Sequence, residues 1–329
     1  MLRTLAARLD SFPLASPFRI ARGVKTAADV VSVEIGQDGF VGRGEGVPYL
    51  RYGETGDQVQ ADIQAARQAI ESGATRQDIN SLMTPGAARN ALDCALWDLE
   101  SRVGDFSVAA QLGVPANKRV PTAMTVGLDA PAAMEAAARA LADVPLLKVK
   151  VDRSDPLAQI RAVRRGAPLP RMIVDPNESW TIDEVRNLQS ALVHLRVDLL
   201  EQPLPAEADM ALCGFRSSIP IAADESAHIA GDMDRLADRY QVVNIKLDKT
   251  GGLTAALEFA DAVTAHGLGL MVGCMVSTSL SIAPALMIAA RAAFVDLDGP
   301  LWLSRDRAGG VVGHEGLLHA AAPGFWGSR

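Results

Sequence analysis

Between residues 148 and 246 the sequence reads Lys148-Val149-Lys150, then Val174-Asp175-Pro176-Asn177, Leu200-Glu201-Gln202-Pro203, Ala223-Asp224-Glu225-Ser226 and Asn244-Ile245-Lys246. Each is a short apolar segment that ends in a charged residue. The charged ends Lys150, Asp175, Glu201, Asp224 and Lys246 succeed one another at 25, 26, 23 and 22 residues. Asp296 lies two such intervals beyond Lys246, and the strand-like run Leu268-Gly269-Leu270-Met271-Val272 stands between them. One interval before Lys150 is Thr125, inside the apolar segment Ala123-Met124-Thr125-Val126. A period near 25 residues is that of a strand, a crossover helix and two loops, and it implies a parallel sheet. Eight such units close into an α/β barrel of the TIM type more naturally than they form an open sheet. No GxGxxG follows the first strand, and an open doubly wound sheet gives no reason for a charge at nearly every strand end.

Outward from this region the pattern changes. Val30-Val31-Ser32-Val33-Glu34-Ile35-Gly36 alternates and is β-branched, so a strand is expected, with a turn over 36–39 and a hairpin partner from Phe40. Helices are expected over about 58–72 and 86–103. Strands followed by helices mark a separate α+β unit. The expected division is a capping domain over 1–112, completed by 306–329, on a barrel over 113–305. Tail residues Pro323 to Trp326 should then touch the capping domain.

Composition bounds the partners. A net charge of −7 with no basic run argues against a nucleic-acid surface. No apolar run reaches the ~18 residues of a membrane helix, and the charged, proline-containing N-terminus does not read as a signal peptide. Cys94, Cys213 and Cys274 are odd in number and widely spaced, which argues against a disulfide framework or zinc ribbon and for a reducing, cytoplasmic compartment. The sequence leaves a homo-oligomer open.

In a barrel of this kind the C-terminal strand ends converge on one pocket. That ring would carry Thr125, Lys150, Asp175, Glu201, Asp224 and Lys246. Three carboxylates with no nearby His or Cys favour Mg²⁺, with Mn²⁺ as a substitute, over zinc. Three carboxylates do not all stay ionised in one pocket without a cation. A lone strand-end acid is more often a helix cap, and a lone lysine more often solvated. Five such charges in register on five consecutive strands are not explained that way.

The quoted segments resemble the enolase superfamily, muconate-lactonizing-enzyme subgroup, over essentially the whole chain. Ala91-Leu92-Asp93-Cys94-Ala95-Leu96-Trp97-Asp98-Leu99 is similar to the helix that joins that family's capping domain to its (β/α)₇β barrel. The resemblance implies one Mg²⁺ per subunit on Asp175, Glu201 and Asp224, with Asn177 behind them. It implies Lys150 and Lys246 as opposed acid/base lysines for the S and R epimers, and Lys148 beside the substrate's carboxylate. Asp296-Leu297-Asp298 at the last strand end resembles the dipeptide epimerases, in which the pair binds an α-ammonium group. Two carboxylates two residues apart on a strand point the same way and make a cation site.

Phe18-Arg19-Ile20-Ala21-Arg22-Gly23, Tyr49-Leu50-Arg51-Tyr52-Gly53-Glu54 and Gly273-Cys274-Met275 resemble segments of the bacterial L-Ala-D/L-Glu epimerases. The reaction implied is a 1,1-proton transfer on a small dipeptide. Where that subfamily would carry an arginine for the substrate's side-chain carboxylate, the matching position is Lys25, which keeps the charge but loses the bidentate fork. An exposed loop lysine is the alternative there. Thr125 and Cys274 are expected to line the pocket, with barrel packing as the alternative. N-acylamino acid racemisation, o-succinylbenzoate synthesis and cycloisomerisation are rivals on the same scaffold, but their substrates need no free ammonium. A non-catalytic metal or solute binder would not need two opposed lysines.

Overall fold

The computed structural model describes residues 3–21, 23–115 and 119–329. Arg22, one of the residues in the Phe18–Gly23 resemblance, lies outside them. The chain opens with a three-stranded antiparallel sheet: β1 (Thr4–Ile20), β2 (Gly23–Gln37) and β3 (Phe40–Gly46), in that spatial order. Asp38 and Gly39, both at positive φ, make the β2–β3 turn. The helices α1 (Gly56–Ala65), α2 (Arg67–Glu71), α3 (Arg76–Leu82) and α4 (Ala87–Gly104) follow, then the short α5 (Val108–Gln111) and β4 (Val120–Pro121). The helix expected over 58–72 is interrupted at Ala66, and α3 was not anticipated. Nor was β1. It carries Pro13 and Pro17, which an edge strand tolerates and a central strand does not.

The sheet packs on α4 through a run of small residues. Gly42, Gly44 and Gly46 alternate on β3 and face Ala95, Ala91 and Ala87, which repeat every four residues along the helix. A Cβ added at Gly44 would stand 2.0 Å from the Ala91 carbonyl oxygen. Gly44→Ala is therefore expected to lower unfolding free energy by ~3 kcal/mol, the upper end of the usual overpacking cost. Urea denaturation monitored by circular dichroism checks this.

The remainder forms eight parallel strands in sequential order: β5 (Met124–Val126), β6 (Leu146–Lys150), β7 (Arg171–Asp175), β8 (Leu199–Glu201), β9 (Ile221–Ala223), β10 (Val242–Ile245), β11 (Gly269–Gly273) and β12 (Phe294–Asp296). The ring closes where Ala123 N donates to Val295 O at 2.7 Å. Six of the seven connections hold helices: α6 (Pro131–Arg139), α7 (Pro156–Gly166), α8 (Ile182–His194), α9 (Met233–Ala237), the pair α10 (Leu247–Thr250) and α11 (Leu253–Ala265), and α12 (Ser279–Ala289). The expected helix after β8 is replaced by a 3-10 turn, Asp209–Leu212.

Ala123, Leu146, Ile173, Leu199, Ala222, Val242, Met271 and Phe294 form one buried cluster, a single residue at each of the eight strand positions. They plug the barrel interior. Because strand side chains alternate, the residue two positions on also points inward. That next layer reads Thr125, Lys148, Asp175, Glu201, Asp224, Asn244, Gly273 and Asp296. One more step on β6 and β10 gives Lys150 and Lys246. The polar site is thus the upper interior of the barrel, standing on an apolar floor.

The tail is shared between both parts. Strands β13 (Val312–His314) and β14 (Leu317–His319) pair with β4 at the far end of the barrel. The last residues return to α4: Trp326 Nε1 donates to Cys94 O at 3.1 Å, Arg102 Nη2 to Gly324 O at 2.8 Å, and Gly327 N to Asp98 Oδ1 at 2.7 Å. Among the described residues no helix is long and apolar enough to cross a membrane.

Candidate active site

The polar layer is almost wholly removed from solvent. Asp175 and Glu201 are 0% exposed, Asp224 1%, Lys148 2%, Lys150 7% and Lys246 8%. Buried charges are stable only when paired, and here each has a partner. Lys150 Nζ donates to Asp175 Oδ2 at 2.6 Å, and Lys246 Nζ to Asp224 Oδ2 at 2.6 Å. Lys148 stands among three acids, 2.8 Å from Glu201 Oε2, 2.8 Å from Asp296 Oδ2 and 3.1 Å from Asp175 Oδ2. Gly273 makes room for the opposite wall. A Cβ there would stand 2.7 Å from Asn244 Oδ1 and 3.0 Å from Lys246 Cε.

Charge in this layer is unevenly served. Burial would raise the Asp175 carboxyl, but Lys150 and Lys148 outweigh it and hold the group at about 2. Asp224 is likewise held well below the ordinary carboxylate range, because Lys246 and Lys249 overcome the effect of burial. Glu201 is different: burial pushes it up to about 8, and Lys148 offsets only part of that. Lys148 and Lys246 are pulled down by burial but raised above the usual lysine range by the acids around them.

Glu201 lies between two strands whose acids have lysines of their own, and shares Lys148 with Asp175 and Asp296. Among the described residues no group of three or more His, Cys, Asp or Glu closes on a metal-holding geometry. Asp175 and Asp224 are turned onto their lysines. The donor chemistry nonetheless fits a hard divalent cation: three buried, inward carboxylates on adjacent strands, with oxygen donors only.

Above this layer lies a cavity of about 900 Å³ between the barrel mouth and the cap. Lys148, Lys150, Asp224, Lys246, Asp296 and Asp298 line it, together with Thr125, Asn177, Cys274 and Lys25. Asp175 and Glu201 do not reach its wall and lie behind the lysines. Asp298 Oδ2 accepts from Thr125 N at 2.9 Å and from Trp302 Nε1 at 3.2 Å, so Thr125 acts here through its backbone. Burial, with Asp296 beside it, raises Asp298 to about 6. Asn177 donates its backbone N to Asp175 Oδ1 at 2.8 Å and Nδ2 to Asp175 Oδ2 at 3.2 Å. Lys25 sits in strand β2 rather than in a loop, its Nζ 5.3 Å from the Tyr49 ring centroid. Burial lowers it despite Asp29 and Asp248.

Three contributors were not anticipated. Lys249 is fully buried and donates to Asp224 Oδ1 at 2.7 Å and to Asn244 O at 3.0 Å. Its position one helical turn after Lys246 was the available signal. Asn244 Nδ2 donates to Glu201 Oε1 at 2.9 Å. Arg51, on the cap, is salt-bridged to Glu178 in the loop after β7.

A capped parallel barrel with lysines and carboxylates on its upper interior layer defines an enolase-type scaffold. Residues 3–113 match the mandelate racemase / muconate lactonizing enzyme N-terminal domain, and residues 132–322 match the enolase C-terminal domain-like family. The chain belongs to the mandelate racemase / muconate lactonizing enzyme family of the enolase superfamily.

It is 43% identical to the L-Ala-D/L-Glu epimerase of Escherichia coli (strain K12) over 97% of this chain and 100% of that protein. It is 42% identical to an N-acetyl-D-glutamate racemase of a Pseudoalteromonas species over 91% of this chain and 95% of that one. A crystal structure of an enolase family member from Agrobacterium tumefaciens with homology to dipeptide epimerases, bound to sodium and L-Ala-L-Glu, superposes with a TM-score of 0.96. That pair is 46% identical, covering 99% of this chain and 100% of the other. The dipeptide epimerase of Enterococcus faecalis V583, complexed with Mg and L-Leu-L-Tyr, superposes with a TM-score of 0.92 at 29% identity, over 100% of both chains.

Proposed function

We propose that this protein epimerises dipeptides of the L-Ala-D/L-Glu type at their C-terminal residue, by 1,1-proton transfer between two lysines. One observation carries the reading. Lys150 and Lys246 enter a single cavity from β6 and β10, four places apart in an eight-stranded ring and so on opposite sides of it. A planar carbon held between them can lose a proton to one side and gain one from the other.

On this reading Lys150 serves the S epimer and Lys246 the R epimer, each acting as base in one direction and acid in the other. When bound by Asp175, Glu201 and Asp224, Mg²⁺ supplies positive charge against the negative charge that develops on the substrate carboxylate. Lys148 adds a fixed cation to the same place. Asp296 and Asp298 take the substrate ammonium, with Thr125 N and Trp302 keeping Asp298 aimed. Lys25 offers a cation for an acidic side chain, and Cys274 contributes wall. We also infer a cytoplasmic setting for an enzyme with three free cysteines. The proposed domain division places this chemistry in residues 113–305, under a cap of 1–112 and 306–329.

A specific observation supports a second reading. Asp296 is already paired with Lys148, and Asp298 already accepts two hydrogen bonds. A site that needed no ammonium partner would look similar, and racemisation of N-acetylglutamate would use the same two lysines.

Incubation with L-Ala-L-Glu and MgCl₂ in D₂O tests the proposal. Deuterium should enter the glutamyl Cα as L-Ala-D-Glu appears, and excess chelator should stop both. Full activity in chelator would remove the metal from the account. Asp224→Asn should weaken Mg²⁺ binding, read by calorimetry, by at least the ~10–100-fold that follows loss of a mere supporting partner. Activity should fall with it.

A further inference from the structure

One turn of the cap touches the loops that follow all three carboxylate strands. The 3-10 turn Leu50–Tyr52 is closed by Gly53 at φ 79°. Arg51 grips Glu178 with both arms of its guanidinium, Nε to Oε2 at 2.9 Å and Nη2 to Oε1 at 2.9 Å, and Nη2 also reaches Glu207 Oε1 at 2.7 Å. The next residue, Tyr52, meets the His228 ring edge-on, with centroids 4.8 Å apart. Glu178 follows Asp175 by three residues, Glu207 follows Glu201 by six, and His228 follows Asp224 by four.

The loops gripped in this way are strained and tied to one another. Asn177 and Glu178 both lie at positive φ, 46° and 66°, and Gln202, directly after Glu201, lies at 34°. Such backbone persists in non-glycine residues only where its surroundings over-determine it. Glu178 is the knot. Its backbone N donates to Gln202 O at 2.9 Å, and its carboxylate accepts from Ala206 N at 2.9 Å besides Arg51. Gln202 in turn accepts from Asp224 N at 2.8 Å and Ser226 N at 3.1 Å. The side chain of Glu178 is only 7% exposed and Arg51 30%, so this pair is better shielded than an ordinary surface ion pair.

We propose that Arg51 is a positioning residue for the cation site. The cap turn clasps the three loops, and through them keeps the strand ends that carry Asp175, Glu201 and Asp224 together, so that the three carboxylates can converge on a divalent cation. Docking of the cap and retention of the cation are then one event. The inference rests on the metal assignment above. A salt bridge that only docks the cap would change thermal stability and leave cation affinity alone.

The test is calorimetric titration of the full-length protein with MgCl₂, without substrate. Arg51→Ala and Glu178→Gln should each raise the Mg²⁺ Kd by ~10-fold or more, the size seen when a partner behind a metal ligand is lost. Arg51→Lys, which keeps the charge but not the fork, should fall between them and wild type. The double variant should be no worse than the more affected single, because both remove one contact. Glu207→Gln removes an exposed partner and should change Kd by less than ~2-fold. In Arg51→Ala the lost kcat should return at saturating MgCl₂, which a misfolded site would not allow. Should Arg51→Ala fail to fold, Arg51→Lys and Glu178→Gln still decide the matter. A Kd unchanged in Glu178→Gln and in the soluble Arg51 variants overturns the clasp, whatever their melting temperatures. A wild type that binds no Mg²⁺ overturns the metal assignment and the clasp with it.

Discussion

Lys150→Ala and Lys246→Ala are each expected to lose epimerisation by at least ~10²–10⁴-fold, the usual loss for a general acid or base. Both halves of a 1,1-proton transfer are needed for net inversion, so either variant alone should stop it. The halves remain separable. With Lys150 gone, Lys246 still faces the opposite side of the substrate carbon, so the R epimer should still exchange its α-proton with solvent. With Lys246 gone, the S epimer should. Deuterium incorporation followed by NMR, starting from L-Ala-L-Glu and from L-Ala-D-Glu, reads all four cases. If Lys150→Ala exchanged only the S epimer, the two assignments would be reversed. Each variant also takes one of two lysine partners from a buried carboxylate: Asp175 keeps Lys148 at 3.1 Å and Asp224 keeps Lys249 at 2.7 Å. Melting temperatures should therefore be measured alongside, since loss of a partner from a buried charge is itself destabilising.

Asp298→Asn is expected to raise KM for free dipeptides ~30- to several-thousand-fold, from the ~2–5 kcal/mol typically lost with one partner of a desolvated charge pair. The substitution suits the question because its geometry is conservative. The asparagine oxygen can still accept from Thr125 N and Trp302 Nε1, so the loop after β12 keeps its hydrogen bonds while the site loses a charge. An N-acetylated substrate has no ammonium to lose and should be nearly indifferent to the change. Equal effects on both substrates would mean that Asp298 acts through structure alone.

The barrel was legible because charged residues recur at its strand ends at a near-constant interval. Every charged end identified in the sequence lies on the inward parity of its strand or directly continues it, two or four residues beyond the apolar floor of Leu146, Ile173, Leu199, Ala222 and Val242. The cap was less legible. Strand β1 carries two prolines and much exposed surface, so it lacks the alternation and β-branching that betray β2. Lys249 was hidden for the opposite reason: a lysine on a short helix ordinarily faces water, and only the turn that brings it beneath Lys246 buries it against Asp224. Arg51 and Glu178 are separated by 127 residues, and nothing local in either segment predicts their contact. Lys25 was placed by resemblance to a loop position, with an exposed loop lysine as the alternative, yet its backbone pairs in register with Phe18.

Whether this cavity inverts the C-terminal residue of a dipeptide with a free amine is decided by one comparison. Wild-type protein with saturating MgCl₂ is given L-Ala-L-Glu in one sample and N-acetyl-L-glutamate in the other, and kcat/KM for inversion is measured for each by NMR in D₂O. The dipeptide should be preferred by at least ~30-fold, the lower end of what an ammonium held between Asp296 and Asp298 is worth. N-acetyl-L-glutamate turned over as well as the dipeptide, or better, would contradict it and make the protein an N-acylamino acid racemase.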